Sequence, residues 1–398
     1  MILRTGEHTI DTFLFIASKC LKMPCFIVNF NIVVNMSTQE KILLNFTHIW
    51  VRRNITMIKF ATVGAGWIVD SFLKGAKENA PDFVHDAVYS FSDEEGKAFA
   101  AKHGISRVFN DLDKLGESDI DAVYIANPNA FHYPTAKTLL EHGKNVICEK
   151  TSVITSAQLA NLYKIADEKG VIFMEAMKGL YLPEIHQLTE AFKKLGEIHM
   201  VKFDFCRYSS KMPALKAGEF PNIFNPRMGA GGLMDMGIYL VYPALYWFGV
   251  PERIQADISL MSTGADACGT VLFNCKPLEE NGAFKNIHVT ISYGKTSTSH
   301  HDNLIMGDLG VLHIDTMECF DNSYIEYVDG TKEVITKRDT SFSNMGGEAL
   351  QFYKYITDKE GTAKRYAESK KLTTEVIATM EKIREIAGIE FPEEIKAL

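Results

Sequence analysis

Three side chains suited to proton transfer lie in two separate parts of the 398-residue chain. Lys150 follows Glu149 at the end of an apolar run, and Asp235 and Tyr239 follow a glycine-rich stretch. A helix at that place would put Asp235 and Tyr239 on one face, because they are four residues apart. A nearby ammonium lowers the pKa of a phenol, which ordinarily titrates at about pH 10. The residues alone also allow a surface ion pair, a helix N-terminal acid and a core tyrosine.

The turn after the first long apolar strand run has the composition of a phosphate-binding loop. Backbone amides at the start of a helix bind anions, and glycine allows the backbone to approach a pyrophosphate closely. The predicted contacts are Gly64, Gly66, Trp67 and Ile68. Val69 is bulkier than the third position of the G-x-G-x-x-G/A pattern requires, so ordinary turn chemistry stays open.

Two later strand ends carry polar residues suited to the same ligand. Ligands of a doubly wound sheet bind outside the carboxyl ends of its strands. After the second strand, an acid would bind the ribose 2'-hydroxyl of NAD and an arginine would bind the 2'-phosphate of NADP, but neither residue is there. Two serine hydroxyls at this place favour NADP over NAD. The choice stays open because Asp93 lies just beyond them. His132 lies in a predicted loop, where a histidine can also have a purely structural role. The further predicted contacts are Ser90, Ser92, Asn127, Pro128, Asn129, His132, Glu149 and Lys150.

The order of apolar segments predicts an α/β protein with two domains. Between residues 57 and 177, strands alternate with helices, which is typical of a parallel, doubly wound sheet with right-handed crossovers. From residue 178 to 398, strands follow one another with turns between them, and helices return at 348–357 and 372–386. This pattern predicts a C-terminal α+β domain with a large open, mostly antiparallel sheet.

The first 56 residues differ from the rest and are predicted to be a disordered or non-native leader. Lys19 and Lys22 interrupt its apolar part, which leaves no stretch long enough to span a membrane. Acidic residues at positions 7 and 11 and a short apolar core do not fit a signal peptide. Met57 or Met36 is then the expected natural start.

Composition excludes several classes of partner. The net charge is -8, and no long basic run provides a footprint for nucleic acid. Seven cysteines without C-x-x-C spacing indicate neither a disulfide framework nor a zinc site, so we expect no metal and a reducing, cytoplasmic location. A small molecule is the expected partner, with no role for nucleic acid or membrane.

Five ordered motifs resemble the Gfo/Idh/MocA oxidoreductases: VGAGWIV, IANPNAFH, VICEKT, FMEAM and GAGGLMDMGIY. With a tyrosine at position 239, the last motif is similar to that of the branch that contains dimeric dihydrodiol dehydrogenase and xylose dehydrogenase. Thr151 stands where the family has proline, and Leu180 stands where it usually has an arginine. The family therefore supplies no substrate identity.

The resemblance implies an N-terminal Rossmann domain that holds NAD or NADP. It also implies that Tyr239 transfers the proton, that Lys150 lowers its pKa, and that Asp235 holds the lysine or the substrate. The expected function is hydride transfer between nicotinamide and a secondary alcohol or carbonyl of a sugar, polyol or trans-diol. The alternatives are a non-catalytic dinucleotide-binding regulator and a hydrolase that uses the cofactor transiently. A homodimer or homotetramer through the C-terminal sheet is also implied.

Overall fold

A computed structural model describes residues 30–35, 41–46, 56–279 and 282–397. The segment 1–57 forms one unit and 58–398 another. In the first, strands β1 (Phe30–Asn35) and β2 (Lys41–Phe46) pair antiparallel. Apart from this hairpin and residue 56, the leader lies outside the described residues, and its character stays a prediction.

The first large sheet has six parallel strands in the order β5-β4-β3-β6-β7-β8. Its strands are β3 (Ile58–Val63), β4 (Phe83–Tyr89), β5 (Arg107–Phe109), β6 (Ala122–Ile125), β7 (Asn145–Glu149) and β8 (Phe173–Ala176). The helices between them are α1 (Trp67–Asn79), α2 (Asp93–His103), α3 (Leu112–Glu117), α4 (His132–Glu141) and α5 (Ser156–Lys169).

Burial on both faces explains why these strands read as apolar runs. All four residues of β6 are buried, and apolar helix faces cover the sheet on each side. Gly104 and Gly170 adopt the left-handed conformation that ends α2 and α5. The parallel arrangement brings the carboxyl ends of the strands to one edge, where the predicted site residues lie.

The second large sheet has eight strands in the order β10-β11-β12-β9-β13-β14-β15-β16. Its pairs are antiparallel except for β12 with β9, which run parallel. Its strands are β9 (Ile198–Cys206), β10 (Arg253–Leu260), β11 (Asp266–Cys275), β12 (Ile287–Gly294), β13 (Asn303–Gly307), β14 (Gly310–Ile314), β15 (Asn322–Tyr327) and β16 (Lys332–Lys337).

Helices cover one face of the second sheet and then return to the first. They are α6 (Glu184–Ala191), α7 (Met212–Lys216), α8 (Ile238–Phe248), α9 (Gly346–Thr357), α10 (Lys359–Ala387) and α11 (Glu393–Lys396). Helix α9 places Ala349 and Phe352 in the core of the first sheet. Within the described residues, no helix is long and apolar enough to cross a membrane. A parallel sheet followed by a mostly antiparallel one confirms the predicted fold class.

Candidate active site

The turn after β3 has the geometry of an anion-binding loop. Gly64 has φ +103°, and a Cβ there would meet the carbonyl oxygen of Ala126 at 2.9 Å. Gly66 is the N-cap of α1 and provides no side-chain cap, and a Cβ on Gly66 would meet nothing within 4 Å. Trp67 begins the helix and is exposed. The space beside Gly66 at the start of α1 is therefore open, which fits a pyrophosphate bound to the first amides of the helix.

The two serines after β4 shape the next turn. The Ser92 hydroxyl accepts a hydrogen bond from the amide of Glu95 at 3.3 Å and caps α2, so the cap is Ser92 and not Asp93. The Ser90 hydroxyl accepts from the amide of Ser92 at 3.2 Å. Both hydroxyls keep their hydrogen for a ligand. Between them Phe91 is exposed.

The segment after β6 is tied to the loops around it. The ring nitrogens of His132 lie 2.7 Å from the carbonyl oxygen of Asn127 and 2.8 Å from that of Thr151. Burial lowers the pKa of His132 to about 4, so the ring is neutral at neutral pH. Asn129 donates to the carbonyl of Gly229 at 3.1 Å, which links this loop to the second half of the chain. Pro128 precedes the short helical turn that holds Asn129.

Lys150, Asp235 and Lys295 form one charged cluster. The Lys150 ammonium donates to Oδ1 of Asp235 at 3.0 Å and to the Asp235 main-chain carbonyl at 3.0 Å. The Lys295 ammonium donates to the other carboxylate oxygen of Asp235. Lys150 follows β7 of the first sheet and Lys295 follows β12 of the second, so the carboxylate joins the two halves.

Tyr239 lies beside this cluster, as the predicted helix spacing requires. A π-helical turn, Leu233–Gly237, carries Asp235 and continues into α8, which carries Tyr239. The Lys150 ammonium lies 4.5 Å from the centroid of the Tyr239 ring. A second ammonium, that of Lys178, lies 5.6 Å from the same centroid. The structure therefore brings together the lysine, the phenol and the acid that the sequence places in two halves.

Charge and burial together set the proton affinities in the cluster. Burial lowers the pKa of Lys150, but the groups around it, Asp235 first among them, together outweigh burial and the net pKa is raised. Burial raises the pKa of Asp235, but Lys150 and Lys295 outweigh it and the net pKa is lowered. Lys150 and Asp235 are therefore both charged at neutral pH. Burial raises the pKa of Tyr239 by more than Lys150 lowers it, so the phenol is neutral.

Glu149 belongs to a second acidic group behind the cluster. The Tyr124 hydroxyl donates to Glu149 at 2.6 Å, and burial raises the pKa of Glu149. Glu348, in the first turn of α9, is 1% exposed, and neither of its carboxylate oxygens has a hydrogen-bond partner among the described residues. Burial, and then the charge of Glu149, raises the pKa of Glu348 well above its ordinary value.

A cleft of about 1270 Å³ separates the two halves and exposes the cluster. The predicted site residues that line it are Trp67, Ile68, Asn127, Asn129, His132, Glu149, Lys150, Asp235 and Tyr239. The others, which do not line it, are Gly64, Gly66, Ser90, Ser92 and Pro128. In the described part of the chain, no group of three or more histidine, cysteine, aspartate or glutamate residues is arranged to hold a metal ion.

Comparison with protein families identifies both halves. Residues 58–177 match the oxidoreductase family model described as an NAD-binding Rossmann fold, and residues 186–313 match the Gfo/Idh/MocA C-terminal domain. The chain belongs to the Gfo/Idh/MocA family. The predicted resemblance is confirmed, and this family member is an NAD(P)-dependent oxidoreductase that acts on CH–OH groups.

Curated relatives of this Gfo/Idh/MocA protein include dehydrogenases for three kinds of substrate. A scyllo-inositol 2-dehydrogenase (NADP+) of Bacillus subtilis is 36% identical over 84% of this chain and 99% of its own length. A D-xylose 1-dehydrogenase (NADP+) of Hypocrea jecorina is 28% identical over 52% of this chain and 60% of its own length. A mouse trans-1,2-dihydrobenzene-1,2-diol dehydrogenase is 26% identical over 54% of this chain and 64% of its own length.

Solved structures support the fold. A 3-ketoreductase from Actinomadura kijaniata, solved as a point mutant with TDP-benzene and NADP, has a TM-score of 0.71 and covers 83% of this chain and 98% of its own. A biliverdin reductase from Synechocystis has a TM-score of 0.66, and the match covers 84% of this chain and 100% of the reductase chain. These chains are 18% and 16% identical to ours, so they establish the architecture alone.

The cleft residues that sequence reasoning missed include two lysines near Tyr239 and Asp235, namely Lys178 and Lys295. Lys178 directly follows Met177, the last residue of the FMEAM motif, and Lys295 directly follows Gly294, the last residue of β12. Position at a strand end was therefore a usable signal for both. No spacing in the sequence shows that Lys295 shares the carboxylate of Asp235 with Lys150, because 60 residues separate Lys295 from Asp235.

Proposed function

We propose that Tyr239, Lys150 and Asp235 form the proton-transfer set of this oxidoreductase. The observation that carries the proposal is that Lys150 contacts both of the others, Asp235 through hydrogen bonds and Tyr239 across its ring face, at the wall of the cleft. A lysine held in this way presents its charge to any oxygen bound beside the phenol. The same charge stabilises the alkoxide that forms when a secondary alcohol gives up its hydroxyl proton, from which carbon then loses hydride to leave the carbonyl.

The residues at the strand ends fit a dinucleotide. The open amides at Gly66, the close approach at Gly64 and the unpartnered buried oxygen of the Asn127 amide are the features of this chain that suit it. We propose residues 57–177 as the dinucleotide-binding part and 178–398 as the part for substrate and self-association. The proposed contacts are Gly64, Gly66, Trp67, Ile68, Ser90, Ser92, Asn127, Pro128, Asn129, His132, Glu149 and Lys150. When bound, nicotinamide supplies the hydride acceptor or donor.

Tyr239 acts on the substrate oxygen. Because the phenol is neutral at neutral pH, it donates its proton when a carbonyl is reduced. In the opposite direction it takes the hydroxyl proton, which requires the phenolate form. Lys150 favours that form by its charge, and Asp235 keeps the ammonium in place.

The proposed substrate is a sugar, polyol or trans-diol with a secondary hydroxyl. The named substrates of the relatives, inositol, xylose and a trans-dihydrodiol, are of this class. The far wall of the cleft offers aromatic rings at Tyr208 and Phe220 and polar groups at Ser209 and Asn222. Aromatic surfaces with a few polar groups suit the C–H faces and hydroxyls of such molecules.

NADP is the proposed cofactor. The inositol and xylose relatives use NADP+ by name, and Ser90 and Ser92 keep hydroxyl hydrogens for a 2'-phosphate. Three acids in the first turn of α2 oppose this choice. Equilibrium binding of NAD and NADP to the wild type tests it: we expect tighter binding of NADP, and tighter binding of NAD would contradict the proposal.

We also propose a dimer or tetramer in the cytoplasm, formed through the outer face of the second sheet. Met200 points to that face and is 40% exposed, while its neighbour Val201 is buried on the helix-covered face. All five described cysteines are free, which fits a reducing compartment. Sedimentation of Met200→Glu should show dissociation, with Leu278→Glu, an exposed loop leucine, as the matched control. Wild-type sedimentation as a monomer would contradict the oligomer.

A substrate panel tests the function. The wild type is mixed with NAD or NADP and with scyllo-inositol, D-xylose or a trans-dihydrodiol, and absorbance of the reduced nicotinamide is followed. We expect reduction of the cofactor with at least one of them. Tight dinucleotide binding with no redox change on any sugar, polyol or diol would contradict catalysis and favour a regulator.

A further inference from the structure

Lys295 is a buried lysine among the residues that line the cleft. It directly follows β12 and is 5% exposed. Its ammonium donates to one carboxylate oxygen of Asp235, while Lys150 occupies the other oxygen and the Asp235 main-chain carbonyl. A buried lysine has to be paired, and Asp235 is the acid that pairs with it.

The backbone of Lys295 is held from two sides. Its amide donates to the carbonyl of Ala267 at 2.9 Å, where the chain enters β11. Its carbonyl accepts from the amide of Ser209 at 2.9 Å, in the loop that forms the substrate wall of the cleft. The direction in which the side chain leaves the sheet is therefore set by hydrogen bonds on both sides.

Sharing one carboxylate between two ammonium groups changes the charge near the phenol. Lys150, Asp235 and Lys295 together carry a net charge of +1. Without Lys295, Asp235 would face Lys150 alone and the pair would be neutral. The positive charge beside Tyr239, which stabilises a phenolate or an alkoxide, would then be largely cancelled. With one oxygen unpaired, the carboxylate of Asp235 would also be free to rotate, and the Lys150 ammonium bonded to it would move away from Tyr239.

We propose that Lys295 is a positioning residue for hydride and proton transfer: it occupies the second oxygen of Asp235, so that Lys150 keeps both its place and its effective charge beside Tyr239. This inference rests on the proposed function, because it assigns a role within the same site. Lys295 acts through Asp235, and no contact between Lys295 and the reacting atoms is required.

The test compares Lys295→Met with Lys295→Arg in the full chain. We expect Lys295→Met to lower kcat by at least about tenfold, while the Kd for the dinucleotide, which binds at the first sheet, changes less than about twofold. Lys295→Arg keeps the charge and should recover most of the lost kcat. Lys276→Met is the matched control, because Lys276 is an exposed lysine at the opposite end of β11 with only a 3.8 Å contact to Glu252.

A double-mutant comparison separates positioning from folding. Asp235→Asn removes the carboxylate through which Lys295 acts, so Asp235→Asn with Lys295→Met should turn over about as fast as Asp235→Asn alone. This pair leaves no unpaired buried carboxylate and keeps the test valid if Lys295→Met is unstable. Equal losses from Lys295→Met in the presence and absence of Asp235 would overturn the inference, as would wild-type kcat in Lys295→Met. Absence of any turnover in the wild type would instead overturn the proposed function, and this inference with it.

Discussion

The ammonium of Lys150 lies over the ring face of Tyr239, 4.5 Å from its centroid, while its hydrogen bonds go to Asp235. In the proposed proton-transfer set, Lys150 therefore acts on the phenol through charge, and Asp235 fixes the place from which it acts. The lysine comes from the first sheet and the other two residues from the π-helical turn and α8, so the set exists only when the two halves are folded together.

Lys150→Met should lower turnover by about 10²- to 10⁴-fold, because the charge that stabilises the developing alkoxide is lost. Affinity for the dinucleotide should stay close to that of the wild type, since the other proposed contacts remain. Steady-state rates and fluorescence titration with the cofactor measure the two effects. Lys164→Met, an exposed lysine on α5, is the control, and unchanged turnover in Lys150→Met would refute its role.

The two directions of the reaction should depend on pH differently. Because burial raises the pKa of Tyr239, the residue is a neutral phenol at neutral pH. Oxidation needs the phenolate and should accelerate from about pH 7 to about pH 10, whereas reduction uses the phenol and should stay nearly constant over the same range. Initial rates in both directions across this range provide the check. An oxidation rate that is independent of pH would mean that another base takes the proton.

Two glycine substitutions should separate folding from cofactor binding. Gly66→Ala has a permitted backbone conformation and a free Cβ position, so it should keep or slightly raise the thermal stability. It should nevertheless weaken dinucleotide binding, because the added methyl group occupies the space in front of α1. Gly64→Ala should instead cost about 1–3 kcal/mol of stability, given its positive φ and its contact with Ala126. Wild-type cofactor affinity in Gly66→Ala would contradict the phosphate-loop assignment.

Glu348→Gln should stabilise the protein increasingly as pH rises. The pKa of Glu348 is raised in the folded state, so the folded protein keeps a proton that the unfolded chain releases above about pH 4.5. The wild type therefore loses stability as pH rises from about 4.5 toward the pKa of Glu348 in the folded protein, by up to about 1.4 kcal/mol for each pH unit. Glu348→Gln has no such proton to lose. Chemical denaturation at about pH 5 and about pH 8 should show a growing advantage for Glu348→Gln. The control is Glu219→Gln, and two parallel stability curves for Glu348→Gln and wild type would be the opposite result.

Most of the first sheet was predictable because parallel strands are buried on both faces and read as apolar runs. The residue at which β8 begins was not predictable from this pattern. The apolar run begins at Val171, but the Val171 amide donates to the carbonyl of Ala166 in the helix-end turn, and β8 pairs with β7 only from Phe173. Helix α10 starts at Lys359, well before the predicted residue 372, because its first turns are charged and have no apolar stripe.

The site was predictable where a motif carried it. The sequence placed Asp235 and Tyr239 together by helical spacing, and it placed Lys150 at a strand end; in the structure Lys150 contacts both of them. The net pKa of Tyr239 did not follow, because it depends on how much of the phenol the fold buries. Lys295 was missed for a similar reason: its partner Asp235 is brought to it by the second sheet and not by spacing along the chain.

The turnover of Tyr239→Phe tests the central claim most directly, because this substitution removes one oxygen and keeps the ring on which Lys150 packs. With a substrate that the wild type oxidises, we predict that Tyr239→Phe binds the dinucleotide with wild-type affinity and loses at least about 10²-fold in kcat. Oxidation by Tyr239→Phe at the wild-type rate would contradict the account.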